Sequence, residues 1–475
     1  MVSIKRIAGL MIGVASISGC ALTNPTDPYG GMASYWMGET GPGVELPGRQ
    51  AKGPAEPEGP ISLGQAVHIA LVNNPDIAAR RHEVEAAAAQ KDFATGQALP
   101  HVSIETGYSY FLNAQRVVPP SSNGQSGVFG RNIFSGDLVV QMPLFTGGRI
   151  TSEIRSAELL TKAAEHRLAR SRKELVFDVS SLYFNILAQE HVIESLQFSQ
   201  TALVQHLERV DHLIAAQKAA KVDRLRTQVR LANLEQQIVE QRNIRAVQQQ
   251  ALGDLLGLTD HRSPLEVQGE LVIKQVVLPD PIAAIRLARA QREDFLAARA
   301  VLEAQAKAVD AARAAQWPMI FGQASYGGRL GVDPSEQPSG SDRLEDVGQV
   351  GVMADIPLFQ GGQIKARIRR ERANLSVSRQ RLRQLGLQIQ LDVKTALLNT
   401  ESAYERVQAT RTAIDQAEEG LRIEREKYVQ GKGSITDVLD AQASLLFTQT
   451  SYYKALAAYD IALTQYRLAT GEPLK

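Results

Sequence analysis

Two periodicities divide this chain. Residues 149–252 contain neither Pro nor Gly, and Pro is absent from 144–263 and again from 358–472. Stretches this free of breakers predict helices far longer than the average dozen residues. In the second stretch Gly431-Lys432-Gly433 interrupts the run about 70 residues after Gly362. That spacing predicts a helix of roughly 65–70 residues, on the order of 100 Å long, turning at a tip over 430–434. In the final helix Val438, Leu445, Tyr452, Tyr459 and Tyr466 recur every seven residues, with Ala441, Thr448, Ala455, Ala462 and Ala469 three positions on. Large residues alternating with small ones in a heptad suit close coiled-coil packing.

Elsewhere the period is two. Val102, Ile104, Thr106, Tyr108 and Tyr110 alternate with His101, Ser103, Glu105, Gly107 and Ser109, and Leu138, Val140, Met142 and Leu144 alternate with Asp137, Val139 and Gln141. Weaker copies follow in Ile320, Ala324 and Tyr326, and in Val350, Val352, Ala354, Ile356 and Leu358. Strands are expected over about 101–112, 135–145, 319–328 and 347–359, with polar loops at 113–132 and 329–346. Segments of about ten residues with dyad alternation are the mark of a transmembrane β-barrel.

The chain is duplicated. Ala66-Val67-His68-Ile69-Ala70 lies over Ala284-Ile285-Arg286-Leu287-Ala288 at an offset of 218, and Pro143-Leu144-Phe145-Thr146-Gly147-Gly148 over Pro357-Leu358-Phe359-Gln360-Gly361-Gly362 at 214. The second offset carries Asp178-Val179 onto Asp392-Val393, Asp223 onto Asp437 and Gly257 onto Gly471. Each half reads as helix, two strands, two very long helices: a first repeat over 61–260, a linker over 261–281 and a second repeat over 282–475. The first-half tip, placed by the repeat over 217–222, has only the weak turn Lys218-Ala219-Ala220-Lys221. Four strands cannot close a barrel, and an open sheet in lipid leaves edge N–H and C=O groups unpaired at several kcal/mol each. A homotrimer would supply twelve strands and twelve helices.

Composition narrows the function. With 52 Lys+Arg against 51 Asp+Glu, the chain lacks the basic excess a general nucleic-acid binder needs. The eight histidines show no HExxH or other tight ligand spacing, and no phosphate loop or nucleophile motif occurs. An enzyme, a cofactor and a metal site are therefore not expected. The single cysteine excludes a disulfide framework. Lys5 and Arg6 precede an apolar run from Ile7 to Ile17 that ends in Ile17-Ser18-Gly19-Cys20. The run is too short to span permanently and reads as a secretory signal over 1–19. Its end resembles the lipobox of bacterial lipoproteins, which implies acylation of Cys20 and, with Ala21 following, sorting to the outer membrane. Residues 21–60, with seven Pro and eight Gly, read as part of an extended tether over 20–60.

Over roughly 61–472 the chain resembles the TolC outer-membrane efflux family, in particular its lipidated OprM-type branch. The best local match is Tyr428-Val429-Gln430-Gly431-Lys432-Gly433-Ser434-Ile435-Thr436-Asp437-Val438-Leu439-Asp440-Ala441. The resemblance implies a trimeric 12-stranded β-barrel continuing into a 12-helix periplasmic α-barrel. It also implies a periplasmic adaptor (membrane fusion) protein and an inner-membrane RND-type pump or ABC exporter as partners. Asp437 and Asp440 match aspartates that ring the closed periplasmic entrance, although Ser434-Ile435-Thr436-Asp437 also fits a capping box. Asp223 and Tyr428 match positions that latch neighbouring hairpins. The family's latch arginine falls on Gly433, leaving Lys432 or Arg224 as substitutes. Lys218, Ala219, Ala220 and Lys221, with Gly431, Lys432 and Gly433, are the expected adaptor-docking tips. Arg367, Arg369, Arg370, Arg372, Arg379, Arg381 and Arg383 crowd one segment, as a solvated helix face or as a positive band in the lumen. The expected function is a passive exit duct for small molecules. The alternatives are a duct for type I protein secretion and, lower, a lipid-anchored coiled-coil scaffold without a pore.

Overall fold

The computed structural model describes residues 59–117, 128–217, 220–258, 265–273, 276–332 and 344–473. Cys20, the signal and nearly all of the tether lie outside the described residues, as do Lys218 and Ala219. The first half runs α1 Leu63–Asn73, α2 Pro75–Gly96, β1 His101–Arg116, β2 Phe129–Phe145, α3 Arg149–Ala215 and α4 Lys221–Leu255. The second half repeats the order: α5 Pro281–Gln291, α6 Glu293–Ala314, β3 Met319–Gly331, β4 Leu344–Asp355, α7 Gln363–Val429 and α8 Ile435–Thr470.

The first helical segment of each half is two helices rather than one. In the first half the break is local chemistry: Asn74 accepts hydrogen bonds from the backbone N–H groups of Asp76 and Ile77, and Pro75 opens α2. In the second half the break falls at Arg292, whose side chain makes no cap. One local and one distant carboxylate hold it instead. Arg292 is only 3% exposed and reaches Asp294 at 2.6 Å and Asp392 at 2.9 Å. The duplication persists at this joint, because Asn74 Nδ2 donates to the carbonyl of Leu255 and Arg292 Nη1 to that of Ala469, the Leu255 counterpart.

Helices α3 and α7 are each 67 residues long. Both start from a paired-glycine turn, with φ of 61° and 83° at Gly147 and Gly148 and of 56° and 82° at Gly361 and Gly362. These left-handed positions turn the chain sharply just before each helix begins. Gly147 is also crowded, since a Cβ there would lie 2.7 Å from Trp317 Cβ and 2.9 Å from the carbonyl of Ala314. Gly147→Ala is expected to cost about 1–3 kcal/mol, read as a lower temperature for loss of the oligomer on an unheated gel. Gly361→Ala, with no atom near its Cβ position, should show the conformational part of that loss alone.

The four strands form one antiparallel sheet in the order β1-β2-β3-β4. Ile104, Leu138, Tyr326 and Gly348 lie side by side across it. The strands depart from the lengths expected of them. β1 continues to Arg116 and β2 begins at Phe129, because pairing resumes beyond an irregularity in which Tyr110 faces Asn132 and Gln115 faces Gly130. β4 starts at Leu344 and stops at Asp355, so Ile356 and Leu358 lie past its end. A second bulge at Leu144 sits beside Pro143, where the missing N–H is tolerated.

Below the sheet each long helix folds back on its partner, α3 on α4 and α7 on α8, and α3 also packs against α6 and α8 of the other half. One apolar cluster joins Ala66, Ala70 and Ile77 to Val179, Tyr183, Ile186 and Leu252; a counterpart joins Ala284 and Ala288 to Ile389, Val393 and Tyr466. The linker packs on the first half: Ile61 N–H donates to the carbonyl of Glu266 and Gln268 N–H to that of Ile61. Of the heptad in α8, Val438, Tyr459, Tyr466, Ala455, Ala462 and Ala469 are buried, whereas Leu445 and Tyr452 are half-buried. Among the described residues no helix is long and apolar enough to cross a membrane.

Candidate functional site: barrel wall and channel tip

One face of the sheet is apolar and bare. Val102, Ile104, Tyr108 and Tyr110 of β1, Leu138 and Met142 of β2, Tyr326 of β3 and Val350 and Val352 of β4 all point to it and are exposed. Surface of this kind, continuous over four strands, marks a face that meets a membrane or another protein. The opposite face carries Ser103, Glu105, Asp137, Gln141, Gln323, Ser325, Arg329 and Gln349, with Arg329 paired to Asp137 at 2.7 Å. Within one copy β1 and β4 each pair on one side only, leaving two ladder edges open.

At the far end of the helices lie the two tips. In the first, Gln217 adopts φ 59° after α3, and Ala220 precedes α4 with its N–H donated to Asp223. In the second, Gly431 at φ 72° follows α7, and its N–H bonds back to the carbonyl of Tyr428. Lys432 N–H bonds to the carbonyl of Lys427, and a Cβ on Gly433 would lie 3.1 Å from Lys427 Cβ. Ser434 opens α8 in a reciprocal capping box with Asp437, whose carboxylate accepts the Ser434 N–H at 3.0 Å and hydroxyl at 2.8 Å. These bonds hold the Asp437 carboxyl below the usual range. Asp440 lies one turn further on, exposed on the same face and without a hydrogen bond or ion pair among the described residues. Asp437 thus caps α8, and within one copy both carboxylates face solvent.

The expected latch residues come close without bonding. Burial, then the charge of Asp223, raise the Tyr428 phenol above its ordinary value, and no hydrogen bond joins the two. Arg224 turns to Asp211 at 3.2 Å, within its own hairpin. Polar links between the hairpins are instead Arg226 Nη1 to Thr436 Oγ1 at 3.1 Å and, further from the tips, Gln442 Nε2 to the carbonyl of Ser199 at 3.3 Å. Sequence alone missed the Arg226–Thr436 pair, because no motif marks which α4 side chain meets α8. Tyr428 also lies against the His206 ring, centroids 5.7 Å apart. Burial, then Arg209 and Arg425, push that imidazole below its usual value. The arginines between 367 and 383 are all exposed, and Arg370 pairs with Glu371 at 2.7 Å. Among the described residues no group of side chains is arranged to hold a metal ion.

A sheet with an apolar outer and a polar inner face, continued by helical hairpins with carboxylates at the start of their returning helices, defines an outer-membrane channel-tunnel protein. The profile of the family described as "Outer membrane efflux protein" matches residues 66–258 and 284–472, one stretch in each half. The chain belongs to that family. It is similar to the outer membrane protein OprJ of Pseudomonas aeruginosa, 27% identical over 428 residues covering 86% of this chain and 84% of OprJ. It is also similar to the cobalt-zinc-cadmium resistance protein CzcC of Cupriavidus metallidurans, 22% identical over 87% of this chain and 91% of that one. The solved structure of the Campylobacter jejuni CmeC outer membrane channel shares the fold at a TM-score of 0.72 and 19% identity, over 86% of this chain and 85% of CmeC.

Proposed function

We propose that three copies close one continuous duct through the outer membrane and periplasm, anchored by acylated Cys20. In this reading the duct releases small molecules brought to its tips by a periplasmic adaptor and an inner-membrane RND-type pump. The observation that carries it is the pair of open edges on β1 and β4 beside an exposed apolar band. In hydrocarbon those edges need partners, and three four-stranded sheets joined edge to edge supply them.

The internal duplication supports the same assembly. Helix α3 is flanked by α2 and α4 of its own half and by α6 and α8 of the other. Its counterpart α7 has α5, α6 and α8 as its main partners, and it presents Val377, Leu387, Leu391 and Leu398 as one exposed apolar stripe. At the first position the first-half counterpart, Ala163, is fully buried. The next copy's α2 and α4, which expose Phe93, Val229 and Val239, complete the repeat.

No residue set in the chain performs chemistry in this reading, and the energy for export comes from the pump. Tips built from Ala220, Lys221, Gly431, Lys432 and Gly433 face the adaptor, and Lys218 and Ala219, which precede Ala220 in the sequence, are assigned to the same docking role. Asp437 and Asp440, six carboxylates around the axis, set the entrance and favour cations. Purified protein in planar bilayers should give small, cation-selective steps and a mass three times that of one chain. Asp437→Ala/Asp440→Ala should raise conductance several-fold and reduce the selectivity. Unchanged conductance in the double variant removes the entrance assignment, and a pore-free monomer removes the duct. Loss of drug tolerance on gene deletion, with protein secretion intact, supports small-molecule cargo; the reverse pattern assigns the duct to type I secretion.

A further inference from the structure

The inner face of the sheet is polar in large part, with Val139, Phe321 and Met353 among its apolar positions, and near its end remote from the helices a further apolar group is covered. Ile133 and Val347 share that face with Asp137, Arg329 and Gln349, and Ile133 is only 2% exposed. The chain itself covers them. Val128, fully buried, packs on Ile133, with Phe111, Val117 and Val347 around the pair. Two hydrogen bonds pin this return: Val117 N–H donates to the carbonyl of Val128, and Val128 N–H donates to Glu345 Oε2 at 3.2 Å, reaching β4 from the start of β2. The irregular pairing between Tyr110 and Gln115 supplies the slack that lets Phe111 join the cluster.

We propose that this cluster is a collar that narrows the extracellular mouth of the barrel, a second constriction in series with the periplasmic tips. The inference rests on the duct reading above. Three copies place three such clusters around one axis, above the Asp137–Arg329 pairs. An apolar constriction sheds water and so resists ions and polar solutes without a charged barrier. Opening needs only Val128 to peel from the sheet, breaking its bonds to Val117 and Glu345, while the ladder of β2 with β3 stays intact. The collar therefore sets what enters from outside, and the tips set what enters from the periplasm.

The test reads access from outside intact cells. Gln141 lies on the inner face opposite His101, on the helix side of the collar. Gln141→Cys is exposed to a polyethylene glycol maleimide too large for general porins, with the parent chain as background for Cys20. The introduced thiol should label slowly. Adding Glu345→Ala, or Ile133→Ser with Val347→Ser, should raise the rate at least tenfold while the protein still runs as a trimer on unheated gels. Glu345→Ala removes only an acceptor at the surface, so it carries the test if the apolar variants fail to assemble. Equal rates in parent and variants overturn the collar. If those cells still export, the duct reading survives; if export and trimer are absent in the parent, the duct reading itself has failed.

Discussion

Leu391→Asp/Leu398→Asp is expected to leave a folded chain that no longer assembles. Both leucines are largely bare in one copy, 59% and 65% exposed, so a carboxylate at either disturbs no core within the chain. At the junction proposed between copies the same carboxylates are buried without a cation. Desolvation of that kind costs several kcal/mol per charge, and three junctions in each ring repeat it. Size-exclusion with light scattering in detergent should show the mass falling to that of one chain, with helical circular dichroism retained and export abolished. A variant that stays trimeric and exports would place α7's stripe elsewhere than between copies. Leu387 provides an internal comparison, because its first-half counterpart is Lys173, which bonds to the carbonyl of Gly471. A lysine at 387 should therefore be tolerated far better than an aspartate.

The second large effect is at Arg292. Its guanidinium is buried between Asp294 and Asp392, and Arg292→Met strands two carboxylates in a tight joint. The expected loss is about 3–5 kcal/mol, the range for breaking a buried pair from one side. Adding Asp294→Asn and Asp392→Asn should recover much of it, which a simple cavity effect would not allow. Burial alone would raise the Asp294 carboxyl, but hydrogen bonds and charge from Arg292 outweigh it and hold the group below its ordinary value. A depressed carboxyl stabilises the fold above the pKa it has when unfolded, about 3.9, and that contribution fades as pH falls through the lower folded value. The parent should thus lose this stabilisation only below about pH 4. Urea unfolding of the trimer at pH 7 and below pH 4 should show the gap between parent and Arg292→Met closing in acid.

What the sequence disclosed follows from where local chemistry decides. The long helices were legible because Pro is absent from them and Gly is absent from nearly all of α3 and α4, and the strands because Val102 to Tyr110 alternate and Leu138 to Met142 break the alternation only at Val139. Asn74-Pro75 could have announced the first helix break, since both residues cap and start helices by their own geometry. Its counterpart at Arg292 could not be announced, because the carboxylate of Asp392 and the carbonyl of Ala469, both far along the chain, help to make that break. The reach of β1 to Arg116 was hidden by an irregularity at 111–114, where the pairing slips and the period fails. At the tips, Gly431 declared its turn, whereas Gln217 holds a left-handed φ with a residue that does not advertise it. The contact of Arg226 with Thr436 depends on how two helices are rotated about their axes, which no local motif records. The apolar residues on the inner face were visible, with Val139 among them, but their cover was not.

The bare edges of β1 and β4 also govern how such a protein is made. A single copy crossing the aqueous periplasm would carry two unsatisfied ladders beside a greasy face, the combination that templates aggregation. The sheet therefore has to remain unformed or escorted during transit and to complete its pairing as lipid and sister chains arrive together. Biogenesis and quaternary assembly become a single event for the strands, while the helical hairpins, whose cores lie within one chain, are free to fold earlier.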